Sequence, residues 1–382
     1  MEVFCINRVV IEENILQHNI ETIKKRIEDN AQDGKSPRII AVIKGNAYGV
    51  GYGIMAQKLL ENGIDFFAVS EVSEAIDVRS LGIDNDILVL NSTSIYGEAR
   101  QIAKHNLIAT IGSFDAFDML NKIAHEENTK IRYHLKIDTG FSRFGFRYED
   151  FEDKTFLDKL INTINSSEDL ILEGTYTHFS ESYSNDSTST KLQFDRFLKC
   201  TNLLNKNGID TKMCHCSNSS AFYKHPNMFL DAVRLGSAFL GRLQIGSDTG
   251  LKRLGYFESE ICEIKELRKG NKIGYSGTCT LTCDSKIAIV EAGYNDGIFI
   301  SGPRDSVRMI DKLRDLKKSI TNLFKDGNKY VIINDIKVPI LGRVGMKNFA
   351  IDISNIDCKV GDKVKIDVSL VLCNQKIERV MI

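Results

Sequence analysis

The chain has 382 residues, with 50 Lys+Arg against 51 Asp+Glu and a net charge of −1. No basic excess exists to neutralise phosphates, which argues against a nucleic-acid partner. A composition 42% hydrophobic and 26% charged is that of a folded globular protein, and the length suits two domains or one large barrel with an appendage.

Short apolar runs alternate with helical patterns over the first two-thirds. The runs predict strands at Ile39–Ile43, Phe66–Val69, Ile87–Leu90, Ile108–Ile111, Tyr133–Ile137, Leu172–Thr177, Thr211–Cys214 and Phe229–Val233. Amphipathic stretches such as Gly53–Asn62, Glu71–Leu81 and Ser113–Glu127 follow several of them. This repeat is the pattern of a (β/α)₈ barrel, although an open doubly wound sheet also alternates in this way. After about residue 245 the runs become short, β-branched and closely spaced: Lys286–Glu291, Tyr330–Ile333, Ile336–Pro339, Phe349–Ile353 and Lys363–Val368. The expected organisation is a TIM-type barrel over 1–245 and a mostly β domain over 246–382. The N-terminal strand Val3–Arg8 is a candidate member of the β domain.

The chain has nine cysteines, an odd number, and no CxxC pair. That argues against a disulfide framework and for a reducing compartment, the cytoplasm. Cys214-His215-Cys216 is the one close cluster. No second pair with zinc spacing accompanies it, so no metal site is expected. The N-terminus MEVFCINRVVIEEN lacks a basic region followed by a long apolar run, so neither a signal peptide nor a membrane span is expected.

In a barrel, chemistry gathers at the C-terminal strand ends. The first predicted strand delivers Lys44 into a glycine-rich turn, Gly45-Asn46-Ala47-Tyr48-Gly49. An amine at an apolar strand end is shifted toward its neutral form, which can make a Schiff base. A lysine ending a strand at a barrel rim is also common without any special chemistry. Ser217-Asn218-Ser219-Ser220 and Val233-Arg234-Leu235-Gly236-Ser237 occupy the last two strand ends. Such loops often form a phosphate site, but Ser-Asn-Ser-Ser is equally an ordinary helix cap. The residues alone leave both readings open.

Seven segments in order resemble the alanine racemase family over nearly the whole chain: AVIKGNAYGVG (41–51), LKIDTGFSRFGF (135–146), THFS (177–180), HCSNSS (215–220), VRLG (233–236), IGYSGT (273–278) and GRVGM (342–346). The resemblance implies a pyridoxal 5'-phosphate (PLP) enzyme built as a head-to-tail homodimer, whose sites take residues from both subunits. Lys44 resembles the lysine that holds PLP and moves a proton at Cα. Tyr275 resembles the opposite acid/base, supplied by the other subunit. Arg234 looks like the arginine at the pyridine nitrogen, and His178 like the histidine linking it to the tyrosine. Arg143 and Met346 resemble the residues that meet the substrate carboxylate. Lys136 is similar to a lysine carbamylated in many members. Tyr48, Ser219, Gly236 and Ser237 fall at phosphate-binding positions.

These roles agree with the chemistry of racemisation. A proton must leave one face of Cα and another arrive on the opposite face, so two acid/base groups are needed. A free tyrosine titrates near ~10, so a tyrosine base needs positive neighbours such as Arg143 or His178. PLP is the electron sink. An arginine cannot accept the pyridine proton, which favours rapid reprotonation over transamination. The implied reaction is interconversion of L- and D-alanine, supplying D-alanine for cell-wall peptidoglycan.

Some positions depart from the family. Lys347 stands where Asp is usual, Phe141 replaces the methionine of DTGM, Ile298-Phe299-Ile300 replaces Tyr-Pro-Arg, and Ser369 falls near a usual Tyr. A wider mouth admits serine, lysine or ornithine as alternative substrates. Lys347, if turned into the pocket, would repel a cationic side chain. A PLP decarboxylase and a PLP-handling protein without turnover are the competing readings.

Overall fold

The computed structural model describes residues 7–31, 36–243, 245, 248–300 and 329–382. Contacts divide the chain into two compact units, residues 13–254 and residues 1–12 with 255–382. Residues beyond 245 stay with the first unit because its helix Glu13–Asp29 holds them. Asn19 both donates to the Lys252 carbonyl (2.8 Å) and accepts from the Lys252 amide (2.8 Å).

The strands, in chain order, begin with β1 (Arg8–Ile11), β2 (Arg38–Val42), β3 (Phe66–Val69), β4 (Asp86–Ser92) and β5 (Ile108–Ile111). They continue with β6 (Ile131–Asp138), β7 (Phe146–Arg147), β8 (Leu170–Tyr176), β9 (Met213–His215) and β10 (Ala232–Leu235). In the first unit the order is β5-β4-β3-β2-β10-β9-β8-β6, every pair is parallel, and β5 pairs with β6. The sheet therefore closes into an eight-stranded barrel with helices between its strands. β3, β5 and β10 are buried at every position, as expected for strands covered on both faces.

The last two barrel strands start later than the apolar runs suggest. Lys212 has φ +54° and Leu230 φ +52°, so neither can lie in a strand. Phe229 is apolar because it stacks on Phe222 (4.9 Å, 17°), not because it pairs in the sheet.

Among the described residues, the second unit holds an eight-stranded sheet and a small two-stranded one. β1 lies between β11 (Tyr256–Leu267), antiparallel to it, and a C-terminal strand at Glu378–Met381, parallel to it. Of the predicted N-terminal strand Val3–Arg8, residues 3–6 lie outside the described residues. No helix among the described residues is long and apolar enough to cross a membrane.

Candidate active site

The barrel residues singled out from sequence all lie at or just past the C-terminal ends of their strands. Lys44 leaves β2, and the backbone then turns left-handed. The φ/ψ pairs are 61/47 at Gly45, 53/50 at Asn46 and 52/49 at Ala47, with φ +54° at Tyr48. A left-handed turn costs roughly 1–2 kcal/mol for each residue bearing a Cβ, so Asn46, Ala47 and Tyr48 store strain here. Bonds from the Ala47 amide to the Ile43 carbonyl (2.7 Å) and from the Gly49 amide to the Gly45 carbonyl (3.0 Å) close the turn. The Glu74 carboxylate holds it from outside, accepting from the Gly45 amide at 2.6 Å.

This turn lays the Tyr48 ring against Gly236. A Cβ at Gly236 would stand 2.5 Å from Tyr48 Oη, so only glycine fits. Burial first, and the Glu74 charge second, push the Tyr48 phenol well above the usual tyrosine range, and it remains a hydrogen-bond donor. Ser219 Oγ accepts from the Gly236 amide (3.1 Å) and the Ala238 amide (3.3 Å). Both hydroxyl lone pairs are then used, and its remaining capacity is to donate. The cap of the following helix is Asn218, whose Oδ1 accepts from the Ser220 and Ala221 amides. The cap reading thus holds for Asn218, while Ser219 is left free to donate. Ser237, half-buried, follows Gly236.

Arg234 on β10 is buried, and its guanidinium is almost wholly spoken for. Nη1 donates to His215 Nδ1 (2.6 Å) and the His215 carbonyl (3.1 Å). Nη2 donates to the Thr177 carbonyl (2.7 Å) and the Cys216 carbonyl (3.1 Å), with a longer 3.4 Å contact to His178 Nδ1. No acceptor for Nε–H is found among the described residues.

Arginine has no acceptor atom, so His215 Nδ1 must be the bare nitrogen and its proton sits on Nε2. That proton is donated to His134 Nδ1 at 2.8 Å, which places the His134 proton on its own Nε2. One arginine thereby fixes two tautomers in a row. Burial, and then the Arg234 charge, lower His134 to about 3 and His215 well below the ordinary histidine value. Tyr176 stacks on His215 (4.8 Å, 6°) and Gly174 leaves room for the His134 ring.

His178 is likewise held far below its ordinary pKa, by burial first and Arg234 next. Its surroundings therefore disfavour the positive charge that a tyrosine base was expected to need nearby. It is a neutral imidazole whose Nδ1 faces an obligate donor, so Nε2 carries the proton. Arg143 is the remaining candidate cation. It is exposed and lies over the Phe141 ring (4.4 Å), whose edge meets His178 (5.2 Å, 73°). Lys136 on β6 is buried, with its amine near the Tyr176 and Phe144 rings and 3.4 Å from the Leu90 carbonyl. Burial, and then the Arg143 charge, bring it down to about 7.

Tyr275 and Met346 belong to the second unit. Tyr275 is 75% exposed and Met346 56%. Tyr275 opens a short 3₁₀ turn next to the Gly342-Arg343 segment: a Cβ on Gly342 would come within 2.8 Å of the Ile273 carbonyl. Lys347 donates to Asp296 Oδ1 at 2.6 Å, and that carboxylate is buried. The lysine's charge is thus answered within its own unit.

Four site residues were not singled out from sequence: His134, His215, Tyr176 and Glu74. A histidine, a strand tyrosine and a helical glutamate carry no local signal. His215 opens the HCSNSS segment, but as a single residue it was read only as part of a discounted metal cluster.

A closed parallel barrel with a lysine, a buried arginine and hydroxyl donors on its C-terminal rim, followed by a β unit, defines a two-unit (β/α)₈ enzyme. Family models of the alanine racemase N-terminal domain and C-terminal domain match residues 11–244 and 255–378. The chain belongs to the alanine racemase family, a family of isomerases. It is 30% identical over 367 residues to an alanine racemase of Methanococcus maripaludis, covering 93% of this chain and 87% of that one. It is 32% identical over 335 residues to the alanine racemase of Clostridium tetani, covering 86% and 79%. The solved structure of alanine racemase from Clostridium difficile 630 superposes with a TM-score of 0.84 at 26% identity, covering 100% of this chain and 97% of that one.

Proposed function

We propose that the protein is a PLP-dependent alanine racemase acting as a homodimer. The observation that carries this reading is the state of Arg234, whose Nη donors are consumed inside the barrel while Nε–H has no described acceptor. A donor that cannot become an acceptor suits the pyridine nitrogen of PLP. Tyr48, Ser219, Gly236 and Ser237 would hold its phosphate through hydroxyl and amide donors, and Lys44 would anchor it covalently.

PLP, when bound, would supply the electron sink that proton removal at Cα requires. Lys44 takes or returns the proton on one face, and Tyr275 of the partner subunit does so on the other. Arg234 withholds a proton from the ring nitrogen. His178, neutral, offers its Nε2–H to the tyrosine oxygen and lowers the cost of its anionic form. Arg143 and the Met346 backbone receive the substrate carboxylate. Lys136, with a pKa of about 7, has enough neutral amine to react with carbon dioxide. The resulting carbamate would pair with Arg143.

The dimer is supported by the exposure of Tyr275 and Met346, two large apolar side chains on the second unit. The described cysteines are all free thiols, which suits the cytoplasm, where the product would enter cell-wall peptidoglycan. Pairing with Asp296 answers the Lys347 charge, so the expected repulsion of a cationic substrate side chain loses its ground.

PLP-loaded protein in D₂O with L-alanine should lose the Cα–H proton NMR signal while optical rotation decays. Serine, lysine, ornithine and glutamate serve as comparisons. Lys44→Ala should abolish the exchange. No exchange with alanine, or normal racemisation by Lys44→Ala, refutes the proposal.

A further inference from the structure

We propose that Glu74 is a positioning residue that holds the left-handed turn carrying Lys44 and Tyr48. This rests on the reading of Lys44 as the PLP lysine. Glu74 is the third residue of the helix Val72–Ser80, where a glutamate ordinarily does no more than close a capping box. Its Oε2 does that work, accepting from the Ser70 amide (2.7 Å) and the Glu71 amide (3.3 Å). Its Oε1 reaches across 29 positions of sequence to the Gly45 amide, at 2.6 Å. That is a charge-assisted bond to the first residue of the strained turn.

The turn needs such a hold. Asn46, Ala47 and Tyr48 all sit in a region that side chains disfavour, and the relaxed alternative is right-handed. Were the turn to relax, the peptide following Lys44 would rotate and the Tyr48 ring would leave its seat on Gly236. The carboxylate ties the end of β2 to the end of β3, so the register of two barrel strands sets the direction of the lysine.

A helix cap alone predicts a different outcome from a turn anchor, and two variants separate them. Glu74→Gln keeps one acceptor oxygen but turns an NH₂ toward an amide that needs an acceptor. Glu71→Ala removes the other half of the same capping box and leaves Gly45 untouched. In the holoenzyme, Glu74→Gln should raise the PLP dissociation constant about tenfold, the effect of losing one hydrogen bond to a charged group. It should also lower kcat for alanine more than it raises KM. Borohydride trapping followed by peptide mapping should show less PLP fixed on Lys44. Glu71→Ala should leave all three at wild-type values. In apoprotein, amide hydrogen exchange over residues 43–52 should quicken in Glu74→Gln and not in Glu71→Ala. Wild-type PLP binding and exchange in Glu74→Gln, or the same losses in Glu71→Ala, would overturn the proposal. If wild-type protein neither binds PLP nor racemises alanine, the functional reading fails, and the apoprotein exchange still decides the role of Glu74.

Discussion

Gly236→Ala isolates a single close approach. The added Cβ would meet Tyr48 Oη at 2.5 Å, Cε2 at 2.6 Å and Cζ at 2.8 Å. Ordinary carbon contacts begin near ~3.5 Å, so the ring must retreat by roughly 1 Å. Gly236 has no positive φ, and alanine meets no backbone strain there. The whole cost is overpacking, about 1–3 kcal/mol. For a unit of this size that lowers the melting temperature by about 2–4 °C per kcal/mol. Urea unfolding of apoprotein would measure it, repeated in a Tyr48→Ala background where the obstruction is gone. Gly236→Ala should be nearly neutral there, which gives a coupling energy of about 1–3 kcal/mol. Tyr48→Phe should not relieve the penalty, because the ring carbons remain. The same cost in wild-type and Tyr48→Ala backgrounds would refute the argument.

Two further expectations concern charge. In protein kept free of carbon dioxide, the buried Lys136 amine is brought down to about 7 against 10.5 when free, so between those values the unfolded chain binds more protons and stability rises with pH. The gain across that window is about 5 kcal/mol. Lys136→Met should remove this contribution, so its stability advantage over wild type should shrink steadily from pH 7 to 10. Parallel unfolding curves for the two proteins at pH 7, 8 and 9 would contradict the assignment. Lys347→Ala should cost about 1–3 kcal/mol by stripping the cation from buried Asp296. Adding Asp296→Asn should recover most of it, and a neutral Lys347→Ala variant would show that the pair contributes nothing.

Much of the site was legible because it is written in contiguous segments. AVIKGNAYGVG, LKIDTGFSRFGF and VRLG carry both the strand and the polar residue that the strand delivers. A barrel places every such residue on the same rim, so strand ends read in order already list the site. What escaped is of a different kind. His134 and His215 gain their meaning from each other and from Arg234, through bonds spanning 81 and 19 positions. Glu74 is one more helical glutamate until the barrel brings Gly45 to its second oxygen. Burial beside Arg234 disfavours a charged His178, and residue type alone carries no sign of that.

Composition, charge and the alternation of apolar runs were enough to determine a parallel α/β unit followed by a β unit, without separating a barrel from an open sheet, and the ordered motifs to determine the family. These properties follow from local patterning, which each segment carries in itself. Tertiary structure alone decided which way Lys347 turns, which nitrogens of the histidines hold protons, and that three residues bearing side chains stay left-handed after Lys44. Each of those depends on a donor or acceptor delivered from another element of the fold. A single chain position cannot announce its partner until the sheet has closed.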